Sequence, residues 1–382
     1  MRNPIPFSRP LFVTQPLLPS LQDVTRELGE LWVSKWLTNH GARHNQLEDE
    51  LRTTLQVPQL SVFNNGTLAL LVALKALDLP PGSEVITTPF TFAATPHCIS
   101  WNGLQPVFSD ITEDTMVLDA DRIEQLITPN TSAILGVHVY GFPCQVEKLQ
   151  MIAAKHRLKV VFDAAHAFGT EINGRGIGGF GDISMFSFHA TKLFHTVEGG
   201  CLTYNDAELK SKIYFLRNFG INNEEQVVEV GINGKLNEIQ AVIGLLNLKL
   251  YQAEKQKRAK IRALYETALA GLPGITVPQM PAHATDSLQY FVMRINAADF
   301  GITRDDLYTR LKAYNIFTRK YFHPLCSEYV PYKTLASSRA EHLPIANQIK
   351  TEVLCLPFYG GLTEGEVDQI CRIIRHLHSS KA

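Results

Sequence analysis

The chain reads as an α/β protein, a parallel sheet covered by helices on both faces with a smaller α/β lobe after it. Three observations point there. The short strand-like runs between residues 61 and 162 are apolar from end to end, without the alternation of a half-exposed strand. Helical stretches separate them, as βαβ crossovers require. At 382 residues and 45% hydrophobic content the chain is too long for one small core, so a large domain with a smaller partner is expected.

Residues 1–20 carry prolines at 4, 6, 10, 16 and 19 and read as an extended arm, because proline fixes φ and donates no N–H. Helices follow over about 21–35 and 46–56. Ser61-Val62-Phe63 is a strand and Thr67–Leu77, rich in Leu and Ala, a helix. Then come a strand at Glu84–Thr88, a helix at Phe92–Trp101, a strand at Pro106–Asp110 and a helix at Ala120–Ile127. Ala133–Val139 and Lys159–Phe162 are strands around a helix at Val146–His156. Right-handed crossovers bring the C-terminal ends of such strands to one edge of the sheet. From Leu236 to Ala270 the pattern is one long helix, ended by Gly271-Leu272-Pro273-Gly274. Its charged stretch Glu254–Lys260 suggests a helix leaving the large domain. A strand (Tyr290–Ile295), a helix (Arg304–Tyr314), a strand (Val353–Cys355) and a helix (Glu364–His378) complete the small lobe. The expected division is an arm over 1–20, a large domain over 21–255 and a small domain over 256–382.

Net charge is −1, and Lys and Arg are scattered among acids, so no nucleic-acid footprint is expected. Six cysteines, at 98, 144, 201, 326, 355 and 371, include no C-x-x-C pair; they read as buried thiols of a reducing cytoplasm, and no metal is called for. No apolar run reaches the roughly 18 residues of a membrane span, and the N-terminus lacks a signal core.

The chemistry gathers in a few segments. Ser187-Phe188-His189-Ala190-Thr191-Lys192 leads through Leu193-Phe194-His195-Thr196-Val197 to Glu198-Gly199-Gly200, downstream of Asp163-Ala164-Ala165-His166. A lysine in a Ser- and Gly-lined turn, with an acid at the end of an apolar strand, is the layout that holds pyridoxal phosphate. That cofactor needs an amine for a Schiff base and a carboxylate against its ring nitrogen. Taken singly, Lys192 reads as a surface lysine, Asp163 as a turn cap and His166 as a structural histidine. Asn65-Gly66-Thr67 opens a helix, where free N–H groups bind anions and glycine allows close approach; an ordinary cap is the plainer reading. Phe90 and Phe92 follow a strand and can stack on a planar group or pack in the core. Gly231-Ile232-Asn233-Gly234-Lys235 offers an amide and a cation to phosphates, or is a solvated loop.

In this order and spacing the motifs resemble the DegT/DnrJ/EryC1 family of pyridoxal-phosphate-dependent sugar aminotransferases, from Pro16-Leu17-Leu18-Pro19 to Leu356-Pro357-Phe358-Tyr359 and Leu362-Thr363. The resemblance implies the aspartate-aminotransferase fold (fold type I), a mixed but mostly parallel sheet with a small C-terminal α/β domain. It implies Lys192 as the Schiff-base lysine, Asp163 as the partner of the ring nitrogen, Gly66, Thr67 and Ser187 as phosphate ligands, and Phe92 as the stacking ring. His166 stands where many relatives carry Gln, near the ring's exocyclic oxygen. Asn233 matches a residue offered to the neighbouring subunit's phosphate, which makes a homodimer with shared active sites the expected assembly. Lysine at 192, where one branch of the family has histidine, argues for transamination over dehydration.

The resemblance further implies transfer of an amino group from L-glutamate to a keto-sugar nucleotide, with Lys192 shuttling the proton. Segment Trp36–Gly41 and the flanks of Lys192 are most similar to the branch aminating C4 of dTDP-4-dehydro-6-deoxy-D-glucose, for O-antigen or another surface polysaccharide. Thr38, His189, Tyr321 and His323 are expected at the sugar and Lys235 at the pyrophosphate. Amination at C3 or of a cyclitol ketone is the alternative on this scaffold, and a non-catalytic binding protein a further one.

Overall fold

In the computed structural model, which describes residues 4–379, seven strands form one sheet. They are β1 (Gln59–Phe63), β2 (Glu84–Thr87), β3 (Gln105–Phe108), β4 (Thr131–Val137), β5 (Lys159–Asp163), β6 (Ile183–Ser187) and β7 (Gly200–Tyr204). Their spatial order is β1-β7-β6-β5-β4-β2-β3. The run from β3 to β6 is parallel, and β7 alone is antiparallel, pairing with both β6 and β1. The helices before and around this sheet are α1 (Leu21–Ser34), α2 (Ala42–Thr54), α3 (Gly66–Ala76), α4 (Ala94–Trp101), α5 (Val146–His156) and α6 (Glu208–Leu216). Helix α3 is apolar on nearly every side because it is covered on nearly every side, by the sheet, α4 and α6.

The fold class is as expected, and most elements fall within a few residues of their sequence limits. The differences have physical causes. Residues 120–127 form two single 3₁₀ turns in place of a helix. The Asp119 side chain caps the first, and Pro129 biases the chain before it towards extended backbone. β7 was not anticipated, because a fully buried run carries no direction in its pattern.

Helix α7 (Glu238–Leu269) opens with a capping box from Asn237 and Gln240. Within its charged stretch two residues are buried. Glu254 and Arg258 turn inward on the face formed with Tyr251, Ile261, Tyr265 and Leu269. Arg258 Nε donates to Glu254 Oε1 at 2.8 Å, the same oxygen accepts Gly360 N–H at 2.8 Å, and an Arg258 NH group reaches Leu288 O at 3.3 Å. The pair ties the long helix to two segments of the small lobe, at Leu288 and Gly360.

That lobe holds a three-stranded antiparallel sheet of Ile275–Thr276, Phe291–Ile295 and Val353–Leu356, with helices Arg304–Lys312 and Glu364–Ser379. The proline-rich arm is extended as expected, but it is not loose. Leu11–Phe12 pairs parallel with Ile316–Phe317, and Phe358 N–H donates to Val13 O at 2.9 Å. All six cysteines are buried and unpaired, and no described helix is long and apolar enough to cross a membrane.

Replacing Arg258 with Met leaves the Glu254 carboxylate buried without its cation. We expect a loss of about 3–5 kcal/mol, measured as a lower urea midpoint at unchanged slope; wild-type stability would show the pair to be dispensable.

Candidate active site

The C-terminal ends of β1, β2, β4, β5 and β6 converge at one edge of the sheet, and the candidate residues lie in the loops there. Asp163 is the last residue of β5 and is buried. Its Oδ1 accepts Ala165 N–H at 3.0 Å and its Oδ2 accepts the Thr95 hydroxyl at 2.9 Å. Thr91 Oγ1 lies 2.8 Å from Thr95 Oγ1, a turn earlier. Burial pushes the Asp163 pKa up; the two hydrogen bonds and the Lys192 charge oppose it. The carboxylate is solvated by donors on one side and remains in want of a cation.

Lys192 lies in the loop from Ser187 to Gly200. Those two residues are cross-strand partners at the ends of β6 and β7, so the loop starts and finishes at one place. Lys192 is half-buried, its Nζ 5.9 Å from the centre of the Tyr290 ring. Desolvation lowers its pKa to about 8, and the Asp163 charge resists the shift. Acid and amine therefore act on each other. The lysine backbone is held by Lys192 N–H to His189 O at 2.8 Å and by the buried Gln289 side chain, which bonds Thr191 O and Leu193 N–H.

The backbones at Gly66, Ser187 and Gly200 touch. A Cβ on Gly200 would lie 2.8 Å from Gly66 N and Cα, and a Cβ on Gly66 would lie 3.2 Å from Ser187 Cβ. At the start of α3, Asn65 accepts Leu68 N–H with its side chain and Ala69 N–H with its carbonyl. The Gly66 and Thr67 N–H groups have no acceptor among the described residues, Thr67 is exposed and Ser187 half-buried. Two N–H groups at a helix N-terminus with hydroxyls beside them suit a phosphate.

His166 is buried, and its Nδ1 accepts Tyr140 N–H at 3.1 Å, which leaves the proton on Nε2. Desolvation, then the Lys192 charge, holds it neutral. Its ring stacks on Phe322 at 5.9 Å and meets the edge of Tyr290 at 5.0 Å. Tyr321 shares this cluster through Tyr290, and its carbonyl accepts the Tyr140 hydroxyl. Phe90 is core, against Tyr140 and Phe322, whereas Phe92 is 63% exposed just before α4.

The other sequence candidates lie further out. His189 is exposed, bonded to Thr191 Oγ1 at 2.8 Å and 3.7 Å from Glu198. Lys235 donates to Asn233 Oδ1 at 3.0 Å, and Asn233 O and Gly234 O accept from Asn64, one residue before the helix cap. Thr38 is exposed on the stretch between α1 and α2, whose Leu37 O accepts Glu238 N–H. His323 is exposed, and its N–H donates to Lys320 O at 2.7 Å. Sequence reasoning missed Thr95, Tyr290 and Gln289. Thr91-x-x-x-Thr95 carried a signal, two hydroxyls one turn apart; Tyr290 read only as the start of a strand, and Gln289 before it carried no signal.

These residues fit pyridoxal phosphate. A buried carboxylate short of a cation suits a pyridinium N–H, a desolvated amine suits an aldehyde, and the glycine-lined cradle is closed to a Cβ but open to a phosphate.

Comparison with known proteins agrees. Residues 21–375 match the model of the DegT/DnrJ/EryC1/StrS aminotransferase family. A dTDP-4-amino-4,6-dideoxy-D-glucose transaminase of Escherichia coli is 44% identical over 95% of this chain and 97% of its own length. One from Shigella dysenteriae is 40% identical over 97% and 99%. The crystal structure of DesI with its TDP-sugar product superposes with a TM-score of 0.93 at 35% identity, covering 99% of this chain and 95% of that one. Fold and site thus define an aminotransferase that works through pyridoxal phosphate. The chain belongs to the DegT/DnrJ/EryC1/StrS aminotransferase family.

Cofactor-free protein treated with an amine-acylating reagent should label Lys192 with a pH midpoint near 8, because the neutral amine predominates above its pKa. Ordinary lysines follow only towards about pH 10. Peptide mapping across pH reads this, and a Lys192 midpoint matching the surface lysines would contradict it.

Proposed function

We propose that the protein transfers the amino group of L-glutamate to C4 of dTDP-4-dehydro-6-deoxy-D-glucose, with Lys192 as the residue that binds the cofactor and carries the proton. The observation that carries the assignment is the buried Asp163 carboxylate facing the half-buried, desolvated Lys192 amine. Pyridoxal phosphate, when bound, supplies the aldehyde that takes the amino group and the ring that accepts electrons. Asp163, oriented by Thr95 and Ala165, holds the ring nitrogen protonated. The Gly66 and Thr67 N–H groups and the Ser187 hydroxyl hold the phosphate, and Phe92 covers the ring face. His166 offers Nε2–H towards the ring's exocyclic oxygen. With the cofactor bound, Lys192, whose pKa is lowered to about 8, would take the proton from the amino-acid carbon and hold it for return, and would act in the opposite sense towards the sugar. Thr38, His189, Tyr321 and His323 line the sugar and Lys235 the pyrophosphate. The relatives' dTDP-sugar substrates support C4 and the nucleotide, and the product would feed O-antigen or a related surface polysaccharide from the cytoplasm.

Borohydride reduction of the cofactor-loaded protein should fix the label on Lys192, and Lys192→Ala should abolish transamination. Product NMR with glutamate and the dTDP-keto sugar should place nitrogen at C4. A label elsewhere, or an active Lys192→Ala protein, would sink the residue assignment; nitrogen at C3 would sink the substrate assignment.

A homodimer with Asn233 reaching the partner's phosphate completes the proposal. Two surface segments support it: Trp32, Val33, Trp36 and Leu37 on one, Val227, Val228 and Val230 on the other, all exposed. Sedimentation should find two copies, and Val230→Glu should lower both assembly and activity; a fully active monomer would refute the shared site.

A further inference from the structure

The Gln289 side chain uses both ends of its amide on one residue's flanks. Its Nε2 donates to Thr191 O at 3.0 Å, and its Oε1 accepts Leu193 N–H at 2.8 Å. The residue between those two peptide groups is Lys192. Gln289 is 4% exposed, so neither bond has water in reserve. The two groups dictate the side chain, because one is an acceptor and the other a donor. A carboxylate serves only Leu193, a thioether neither, and asparagine is one methylene short.

The amide is held as firmly as what it holds. Leu288, its neighbour, has a left-handed φ of 56°, which a branched side chain adopts only when its surroundings enforce it. Leu288 N–H donates to Asp286 Oδ1 at 2.7 Å, Asp286 accepts Arg262 at 2.7 Å, and Leu288 O accepts Arg258. Both arginines are on α7. On the other side Tyr290 lies under the Lys192 amine and against His166, and Phe291 begins the central strand of the small lobe. The segment 286–290 is thus anchored to the long helix and presents an amide and an aromatic ring to the lysine loop.

We propose that Gln289 is a positioning residue for Lys192: it fixes the peptide groups on both sides, so that the amine moves on its own side-chain torsions between its proton-transfer positions while its backbone stays still. A proton carrier that must reach two carbons in turn depends on such a fixed pivot, and misplacement by about 1 Å can cost about 100-fold in rate. The inference rests on Lys192 as the cofactor-binding amine.

Its test uses the cofactor-loaded protein with Gln289→Met, which removes both bonds at similar volume, and Gln289→Glu, which keeps only the bond from Leu193. For Gln289→Met we expect kcat to fall about 10- to 100-fold with the KM for glutamate little changed. The kinetic isotope effect with α-deuterated glutamate should rise as proton transfer becomes limiting. The pH midpoint of the bound cofactor's visible absorbance, and of Lys192 acylation in cofactor-free protein, should shift. Gln289→Glu should show the same changes in smaller measure and carries the test alone if the Met variant does not fold. Folded variants with wild-type kcat, isotope effect and midpoints would overturn the inference. A borohydride label on a residue other than Lys192 would instead overturn the reading beneath it.

Discussion

The site depends on three backbones brought into contact. Gly66 at the head of α3, Ser187 at the end of β6 and Gly200 at the start of β7 meet with no room for a Cβ between Gly200 and Gly66. This contact exists because β7 returns antiparallel between β6 and β1, so the lysine loop must close where it opened. Closing it there places the loop over the N-terminus of α3. One packing constraint thereby sets the distance between the anion cradle and the amine, before any side chain is considered.

Electrostatics completes what packing begins. Asp163 and Lys192 are both taken out of water, one driven towards its neutral form from below and the other from above. Thr95 and the Ala165 N–H keep the carboxylate usable as an anion, while Tyr290, Phe322 and Tyr140 pack around His166, whose burial holds it neutral, and Tyr290 also lies beside the Lys192 amine. Strongly perturbed groups of this kind gather at functional sites.

Much of this was legible in the chain. The parallel strands, α5 and the long helix were readable because continuous apolar runs and helical periods differ. Asp163, His166, Ser187 and Lys192 stood out as candidates by their order and spacing, and the fold brings Asp163 and His166 within electrostatic reach of Lys192. The direction of β7 was hidden, since a buried run looks alike either way. The helix expected at 120–127 failed on a cap and a proline, local facts that eight residues could not outvote. That Glu254 and Arg258 pair on a buried face was not legible, because pattern alone does not reveal that two opposite charges one turn apart turn inward. Gln289 had no motif at all; its meaning lies in which backbone it meets.

The strand formed by Leu11 and Phe12 has a bearing on how the molecule can be taken apart. The small lobe is not contiguous in sequence, because Leu11–Phe12 pairs with its Ile316–Phe317 and Val13 O accepts its Phe358 N–H. A fragment cut at residue 256 would expose the edge of Ile316–Phe317, and a chain trimmed at its N-terminus would do the same to the intact protein.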